Sequence, residues 1–593
     1  MKKGFIQFFG VQALLFPTLM FCMSLFGFVQ EVQAQTLSIS DNGQTGTSGT
    51  NWSTSGTDPI IITATGAADI RPSVIEGYLN QGTSVEIQNT SSTGDVLVED
   101  PISKSNGAAA TLTIKADRHI RLGGGVTITS NASALNVQFW ADTDLDTDGI
   151  IYIESASIDT NGGNLTFGKD GQTASVGGEE ILVGGDVFFQ RSTSAQTLTT
   201  GGGELNIYGE TIVANTNGIT FDTTGSSGDG AVVLHGLLNS GNSYQFVATI
   251  DNYKWTDARV DAKGSTGGGD AVVDSYLVNI TSRLENSIAG LTADYKSSWI
   301  GAFRDKDNSL GNGDNQWYWA DGPEADENFF TQDSTITSGP RGTAVDGYFT
   351  FFADGEPNGT GRNTGESYGQ FYGAAGRWND LNDTGGNGVF TIKGYVVETN
   401  LGASPVTIDA GTQTLTFGGF GSSKALASLD VTSSATTVIG NGLVTTGAQT
   451  YSSSLTVNSA GSTEQVKISA GSGIGISAGG DIEIFGEQID LGADLNTSGA
   501  DGNILLQAPT LINALSAERT LNAGSGGITL TTDEVESGVN TANRLIIDTT
   551  GTFTLEPSTN WTSFVVGTFF NFQGAVNSGD FVGASGVPES AWL

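Results

Sequence analysis

Short stretches in which apolar and polar residues alternate recur along most of the chain, separated by glycine-rich turns. Residues 112–114, 165–167 and 205–207 each place an apolar residue on either side of a polar one. Alternation of this kind puts the apolar side chains on one face of a β-strand. Glycine clusters, such as 123–125 and 201–203, precede the next strand. The pattern predicts repeated strand–turn units from residue 35 to 241.

The same pattern returns after residue 398, and there it has a measurable period. Predicted strands begin at Ile482, Ile504 and Ile528, which are 22 and 24 residues apart. A period in the low twenties favours stacked coils that bury their inward side chains against neighbouring coils. We therefore expect a mainly β chain with parallel β-solenoid arms at 35–241 and 399–593. Separate β-sandwiches are the competing interpretation, although few hairpin dipeptides are present.

Residues 242–398 interrupt the repeats and predict an α+β module. Residues 242–247 and 276–280 have the apolar character of strands, whereas 255–263 reads as a short helix ending at Gly264. A second helix is predicted over 283–291, capped by Thr281 or Ser282 with Glu285 in its first turn.

Five of the nine tryptophans in the chain fall within this module. They are Trp255, Trp299, Trp317, Trp319 and Trp378. Large aromatic side chains concentrated in this way indicate a globular unit with its own core.

The composition makes nucleic acid an improbable partner. The 593 residues include 63 acidic and 24 basic side chains, giving a net charge of −39. A chain this acidic repels phosphate backbones and anionic lipid, and it attracts divalent cations non-specifically. The 85 glycines and 11 prolines fit many short strands joined by turns.

The N-terminus has the features of a secretory signal peptide. Lys2 and Lys3 precede an apolar stretch at 11–29, and the small-residue ending predicts cleavage after Ala34. An uncleaved membrane anchor is the alternative. Cleavage at 1–34 removes Cys22, the only cysteine, so the mature chain has neither disulfides nor thiolate chemistry. We expect a secreted, extracellular protein without a membrane span in the mature chain, with attachment to an outer membrane left open.

Oxygen-bearing side chains are concentrated in the loop-rich span 355–380. The candidate ligands are Glu356, Asn358, Glu366, Asn379 and Asp380. Ca²⁺ takes six to eight such oxygen ligands at roughly 2.3–2.6 Å and tolerates irregular geometry. We therefore predict a Ca²⁺ site here.

The ordered motifs of the module resemble those of C-type lectin domains. They are the stretch 276–281 followed by a helix, Trp-Ile-Gly at 299–301, Trp-x-Trp-x-Asp-Gly at 317–322, Gly-Glu-Pro-Asn at 355–358 and Trp-Asn-Asp at 378–380. The absence of cysteine is typical of bacterial members. The resemblance implies that Glu356 and Asn358 flank a cis proline, and that these two residues with Glu366, Asn379 and Asp380 bind both Ca²⁺ and a sugar. The Glu-Pro-Asn order is similar to that of mannose-type binders.

Several features depart from the family pattern. The spacer before Glu366 is about two residues longer than in the animal lectins, 334–346 is an insert, and Phe352 stands where tryptophan is usual. The longer spacer weakens the assignment of Glu366. Many family members bind proteins or ice without sugar, so a protein ligand stays open.

The repeats resemble those of filamentous-haemagglutinin-type adhesins, which are right-handed parallel β-helices on bacterial surfaces. Residues 477–484 and 489–497 carry the likeness. Together the two resemblances imply a surface adhesin in which a stalk displays a lectin module that binds glycans. The alternative is a structural or protein-binding surface protein whose module binds no sugar.

A second acidic stretch, 142–149, contains the Asp-x-Asp-x-Asp-Gly start of an EF-hand loop. The twelfth position counted from Asp144 is Ser155 rather than glutamate. A polar turn and a Ca²⁺ site are therefore both open interpretations.

The sequence favours binding over catalysis. The mature chain has two histidines, His119 and His235, and lacks recognisable nucleophile, metalloprotease or phosphate-loop motifs. Polysaccharide-cleaving β-helices use paired carboxylates, so an enzyme of that kind is the least favoured alternative.

Overall fold

The computed structural model describes residues 35–572, apart from 47, 90, 92–93, 147, 177–178, 191, 265–273, 306–309, 311–314, 346, 360–364, 374–375, 387, 441, 459–464, 471–474, 515–517, 533–534, 538–544 and 557–569. The predicted signal peptide at 1–34 lies outside these residues. Among the described residues, no helix has the length and apolar character that a membrane crossing requires.

The chain is mainly β, and most of its strands belong to long parallel sheets, the arrangement expected for a parallel β-solenoid. Successive strands lie in turn on three faces of the structure. For example, Ile120–Leu122 lies on the first face, Thr127–Ser130 on the second and Leu135–Trp140 on the third. Most strands pair in parallel with their counterpart in the next coil, whereas Ser48–Gly49, Trp52–Ser55 and Ile60–Ala64 pair antiparallel with one another. We call this part the parallel stack.

The strands of the first face form an eight-stranded and a five-stranded sheet. In chain order they are Gln35–Gln44, Ala68–Ile70, Gly94–Val98, Ile120–Leu122, Ile151–Glu154, Val187–Gln190, Thr211–Val213 and Leu238–Ser240, then Gly442–Val444, Gln465–Ser469, Gln488–Gly492, Leu511–Ala514 and Val535–Ser537.

The second face is one sheet of thirteen strands. They are Ile102–Lys104, Thr127–Ser130, Ser157–Asp159, Gln196–Thr199, Ile219–Asp222, Pro405–Asp409, Ser428–Thr432, Gln449–Tyr451, Ile476–Ala478, Leu495–Asn496, Arg519–Gly524, Leu545–Thr549 and Phe570–Phe572.

The third face has sixteen strands. They are Ser48–Gly49, Trp52–Ser55, Ile60–Ala64, Val85–Asn89, Ala110–Ala116, Leu135–Trp140, Leu165–Phe167, Leu205–Ile207, Val232–Leu234, Thr414–Phe417, Ala435–Val438, Leu455–Asn458, Ile482–Phe485, Ile504–Ala508, Ile528–Thr532 and Phe553–Glu556. A hairpin, Thr173–Val176 with Glu179–Leu182, and a helix, Pro72–Leu79, stand outside the three faces.

The predicted period is confirmed by the strand register. Ile504 is the direct partner of Ile482 on one side and of Ile528 on the other. All three side chains are fully buried. The 22- and 24-residue spacings are therefore the lengths of single coils, and each coil adds one apolar layer to a continuous core.

The module contains one mixed, largely antiparallel nine-stranded sheet whose strands span residues 243–399, one residue beyond the predicted boundary at 398. Its strands are β1 (Ser243–Ala248), β2 (Ser275–Leu277), β3 (Ser298–Arg304), β4 (Gln316–Trp319), β5 (Asn328–Gln332), β6 (Gly342–Ala344), β7 (Tyr368–Tyr372), β8 (Arg377–Leu381) and β9 (Gly394–Thr399). Its helices are α1 (Trp255–Gly264) and α2 (Arg283–Thr292), with a 3₁₀ turn at Gly388–Phe390.

Both predicted module helices are confirmed, and the start of α2 shows why. The Ser282 hydroxyl accepts a hydrogen bond from the backbone N–H of Glu285 at 3.1 Å. The Glu285 carboxylate in turn accepts from the Thr281 backbone N–H at 2.7 Å. The first bond satisfies one of the N–H groups that a helix start leaves unpaired, and the second satisfies the N–H of the residue before the N-cap.

The module core contains the five tryptophans that the sequence analysis singled out. None of Trp255, Trp299, Trp317, Trp319 and Trp378 is more than 2% exposed. They occupy two apolar clusters, one on each side of the sheet.

The module is inserted between two coils that pair directly with each other. Strand Ile219–Asp222 pairs with Pro405–Asp409, so the second face continues across the insertion. Lys424, from the following coil, bonds both connections. Its ammonium group donates to the side-chain oxygens of Asn242 (2.5 Å) and Asn400 (3.0 Å) and to the Leu401 carbonyl (2.7 Å).

The module packs against the outer surface of the first face. One apolar cluster contains Tyr152 and Phe188 from the stack together with Tyr244 and Ile288 from the module. The rings of Phe188 and Tyr244 lie 5.9 Å apart. The Ser287 hydroxyl of α2 also donates to the Asp148 carbonyl at 2.9 Å.

A polar group borders this contact. His119 is fully buried, its Nδ1 accepts the backbone N–H of Ile150 at 3.2 Å, and its Nε2 is hydrogen-bonded to the Tyr295 hydroxyl. The Arg118 guanidinium stacks 4.1 Å from the Tyr295 ring centroid and is paired with Asp95 at 2.6 Å. Burial and the Arg118 charge lower the pKa of His119.

Candidate functional site

The loop at 355–359 follows β6 and carries two of the predicted ligands. Its backbone is anchored at Glu356, which donates its N–H to the Ala353 carbonyl at 2.9 Å and accepts from the Arg341 N–H at 2.7 Å. The Glu356–Pro357 peptide bond is cis, as the resemblance implies. Glu356 is half-buried and Asn358 is exposed.

Asp380, on β8, holds the next part of this loop. Its Oδ1 accepts the backbone N–H of Asn358 and its Oδ2 accepts that of Gly359, both at 2.9 Å. The Asp380 side chain is 1% exposed. The carboxylate thus fixes two consecutive peptide groups, which aligns the loop with the end of β8.

Gly359 is where the loop approaches β8 most closely. A Cβ atom at this position would lie 2.7 Å from Asp380 Oδ2 and 2.8 Å from both Cβ and the carbonyl oxygen of Glu366. Only glycine leaves room for these contacts. The close approach brings Glu366 beside Asp380.

The Glu356 carboxyl group lies against that of Asp380. The Glu356 side chain lies close enough to Asp380 and to Asn358 for both of them to shift its pKa. Burial, followed by the negative charge of Asp380, raises the pKa of Glu356 to about 8. The second oxygen of Glu356, Oε2, is buried and has no hydrogen-bond partner among the described residues.

The pKa values of the Asp380 and Glu366 carboxyl groups are also raised. Burial raises the pKa of Asp380, and it outweighs the opposing effects of the two backbone N–H groups. Burial, then the Asp380 charge, raises the pKa of Glu366, while Arg304 opposes the shift. All three carboxyl groups therefore hold a proton more strongly than free carboxyl groups do, an effect that a nearby cation would oppose.

The structure brings together Glu356, Asn358, Glu366 and Asp380, and Asn379 precedes Asp380 on β8. The Asn379 side chain is 2% exposed, and its amide donates to the Asp380 carbonyl at 3.0 Å. Asn379 is adjacent to the group along β8, but this bond commits its nitrogen to the main chain.

Two residues that the sequence analysis missed, Gln332 and Arg304, donate hydrogen bonds to the backbone carbonyls of the loop. The Gln332 amide donates to the carbonyls of Pro357 and Gly359, both at 2.8 Å, and Arg304 Nη1 donates to the Gly359 carbonyl at 2.6 Å. Both side chains are buried, at 5% and 3% exposed. In the sequence, each is a polar residue at the end of a strand that carries buried apolar side chains, Arg304 on β3 and Gln332 on β5. That pattern does not show which groups the side chain will bond.

The donor atoms are of the type that suits a hard cation. Glu356, Asn358, Glu366 and Asp380 offer oxygen atoms, the ligand type that Ca²⁺ prefers. The buried Glu356 Oε2 is an oxygen for which the described residues provide no donor. In the part of the chain that the structure describes, the three carboxylates of this group are spread too widely to place ligand atoms within 4.8 Å of one another.

The acidic stretch of the parallel stack does form such a compact group. Asp142, Asp144 and Asp146 place carboxylate oxygens within 4.8 Å of one another. Asp142 is buried and the other two are exposed. Strands Leu135–Trp140 and Ile151–Glu154 flank the group, in place of the two helices of an EF-hand.

The comparisons with known proteins give similarities to solved structures. No protein-family model matches the chain, and no curated protein matches it. Among solved structures, the crystal structure of C-type lectin CEL-I from Cucumaria echinata aligns with 22% sequence identity and a TM-score of 0.18. The alignment covers 27% of this chain and 91% of that chain.

Proposed function

We propose that the protein is a secreted bacterial surface adhesin whose module is a C-type lectin-like domain that binds carbohydrate with Ca²⁺. The observation that carries the proposal is that Glu356, Asn358, Glu366 and Asp380 lie close together around one loop. Four ordered oxygen donors in one loop system suit an ion that accepts irregular geometry.

Some side chains at the loop would bind the ion, and some would also form hydrogen bonds with the sugar. Glu356 and Asp380 would supply the charged ligands, and Asn358 an amide oxygen. Bound calcium supplies a Lewis acid on which two vicinal hydroxyls can be coordinated. Since Asn358 is exposed, its amide is placed to donate to a sugar hydroxyl, while the Glu356 carboxylate accepts from one.

The parallel stack would act as the support that presents this site. Lys424 ties both connections of the module to the next coil, and the first face buries one side of the module. The proposed secretion rests on the N-terminal sequence pattern. Mannose-type glycans are the ligand class that the Glu-Pro-Asn order favours.

A binding role is also favoured over a catalytic one. His119 is fully buried and both of its ring nitrogens are engaged, so it is not available as a general acid or base. Incubation with neutral and acidic polysaccharides is expected to give no new reducing or unsaturated ends.

A glycan array tests the proposal. The mature chain should bind in calcium and lose its signal in chelator, and Glu356→Ala with Asn358→Ala should lose it in both. The matched control is Asp144→Asn with Asp146→Asn, which removes two carboxylates from the stack and should leave glycan binding intact. Glycan binding that persists in chelator and in the loop variant overturns the calcium mechanism.

The same experiment addresses the alternative function. A chain that binds no glycan but shows saturable, calcium-independent binding to one surface protein would be a protein-binding or structural surface protein. In that case the loop substitutions should leave binding unchanged.

A further inference from the structure

The loop at 356–359 is held from two sides by different kinds of group. Asp380 accepts its backbone N–H groups, whereas Gln332 and Arg304 donate to its carbonyls. The Gln332 amide nitrogen serves two carbonyls at once, those of Pro357 and Gly359. Buried carbonyls need such partners, because water cannot reach them.

The orientation of the Gln332 amide is fixed by its other end. Its oxygen accepts from Arg304 Nη1 at 3.3 Å and from the Trp317 indole N–H at 3.4 Å. Arginine and tryptophan side chains have no acceptor to offer at these atoms, so the amide nitrogen must face the loop. Trp317 is itself fully buried, which leaves the amide little freedom to rotate.

This arrangement bears on the proposed cation ligands, which extend from the same peptide groups. Glu356 and Asn358 flank Pro357, so the carbonyl that Gln332 holds lies between the two ligand residues. Groups that orient metal ligands without touching the metal commonly change metal affinity 10–100-fold when removed.

We propose that Gln332 is a positioning residue, one that holds the 356–359 loop in its cation-binding conformation and thereby sets the calcium affinity of the site. This inference rests on the proposed function. Gln332 acts through its two donated hydrogen bonds, and it need not contact the ion or the sugar.

Two substitutions separate hydrogen bonding from charge. Gln332→Glu keeps the size and the acceptor oxygen but loses the donors, while it adds a negative charge near the site. Charge alone would tighten calcium binding, whereas loss of positioning weakens it. Gln332→Met removes the polar groups and keeps the volume.

The matched control is Gln316→Glu on the adjacent strand β4. The Gln316 oxygen accepts hydrogen bonds from Asn328 and Thr331, and the added carboxylate can keep both. The control adds the same charge without changing a donor to the loop. Its calcium affinity should equal or exceed that of the unaltered chain.

Two measurements on the full mature chain test whether Gln332 positions the loop. Calorimetric calcium titration should show affinity about 10–100-fold lower in both Gln332 variants. Amide hydrogen exchange in chelator should be faster at 356–359 in both variants, while exchange in the coils of the stack stays unchanged.

The outcomes distinguish this inference from the proposed function. Calcium affinity in Gln332→Glu that matches or exceeds the unaltered chain overturns the positioning role, as does unchanged exchange at 356–359. Absence of calcium binding in the unaltered chain overturns the proposed function, and with it the effect of Gln332 on affinity. The exchange measurement then still decides whether Gln332 holds the loop.

Discussion

The carboxyl group of Glu356 lies beside that of Asp380, at the point where the 355–359 loop meets β8. Two acidic groups this close favour a shared proton in the absence of a cation. The pair therefore links calcium binding, pH and the stability of the module.

The first prediction concerns pH in chelator. The pKa of Glu356 is about 8, above its usual 4.5, so this group stabilises the fold fully below about pH 4.5. That contribution is lost as the pH rises through about 8. Without calcium, the melting temperature should therefore fall from about pH 5 to pH 8, and calcium should reduce the fall.

Glu356→Gln provides the control for this effect. It removes the charge that repels Asp380, so the variant in chelator should melt higher than the unaltered chain at about pH 8. An identical pH dependence in the two proteins would contradict the assignment of the shared proton to this pair.

The second prediction concerns the close approach at Gly359. Gly359→Ala would place a methyl group 2.7 Å from Asp380 Oδ2, and crowding of this kind typically costs about 1–3 kcal/mol. We expect weaker calcium binding and a lower melting temperature. Gly402→Ala is the control, because its Cβ would meet no atom within 4 Å. Equal effects in the two variants would show that the contact with β8 is unimportant.

Local patterns in the sequence were sufficient to predict these secondary-structure elements and the number of residues per coil. The register Ile482–Ile504–Ile528 follows from alternation with a regular period, and α2 follows from the capping residues Ser282 and Glu285. The helix start depends on residues a few positions apart, and the coil register depends on one pattern that is repeated along the chain.

Contacts between distant parts of the chain could not be predicted in this way. Gln332 lies 27 residues before Gly359, and Arg304 lies 55 residues before it. His119 and Tyr295 are separated by 176 residues. No periodicity links such pairs, so the loop support and the packing of the module on the stack emerge only from the structure.

The third prediction concerns His119 at the border between stack and module. Its pKa is lowered below 6.5, so its contribution to stability is present above about pH 6.5 and is lost on acidification. His119→Gln removes that dependence. The charged neighbours Arg118, Asp95, Asp148 and Asp294 are common to both proteins.

Chemical denaturation at about pH 5 and pH 7 measures this effect. The difference in unfolding free energy between the unaltered chain and His119→Gln should shrink as the pH falls. A constant difference would show that His119 does not titrate with unfolding.

The fourth prediction concerns the connections that Lys424 bonds. Lys424→Met would leave partly buried oxygens of Asn242, Asn400 and Leu401 without this donor, at a cost of about 1–3 kcal/mol. Hydrogen exchange should increase at 241–242 and 400–401. Lys393→Met, which removes an exposed pair with Asp251, should change the unfolding free energy by less than about 1 kcal/mol. Similar losses in both variants would contradict the role of Lys424.

The central claim is that the loop of the module, and not the acidic stretch of the stack, holds the calcium on which ligand binding depends. Calorimetric calcium titration tests it on three proteins: the mature chain, Glu356→Ala with Asn358→Ala, and Asp144→Asn with Asp146→Asn. We predict a saturable binding event that is lost in the loop variant and retained in the stack variant. Binding that survives in the loop variant and disappears in the stack variant would contradict the account.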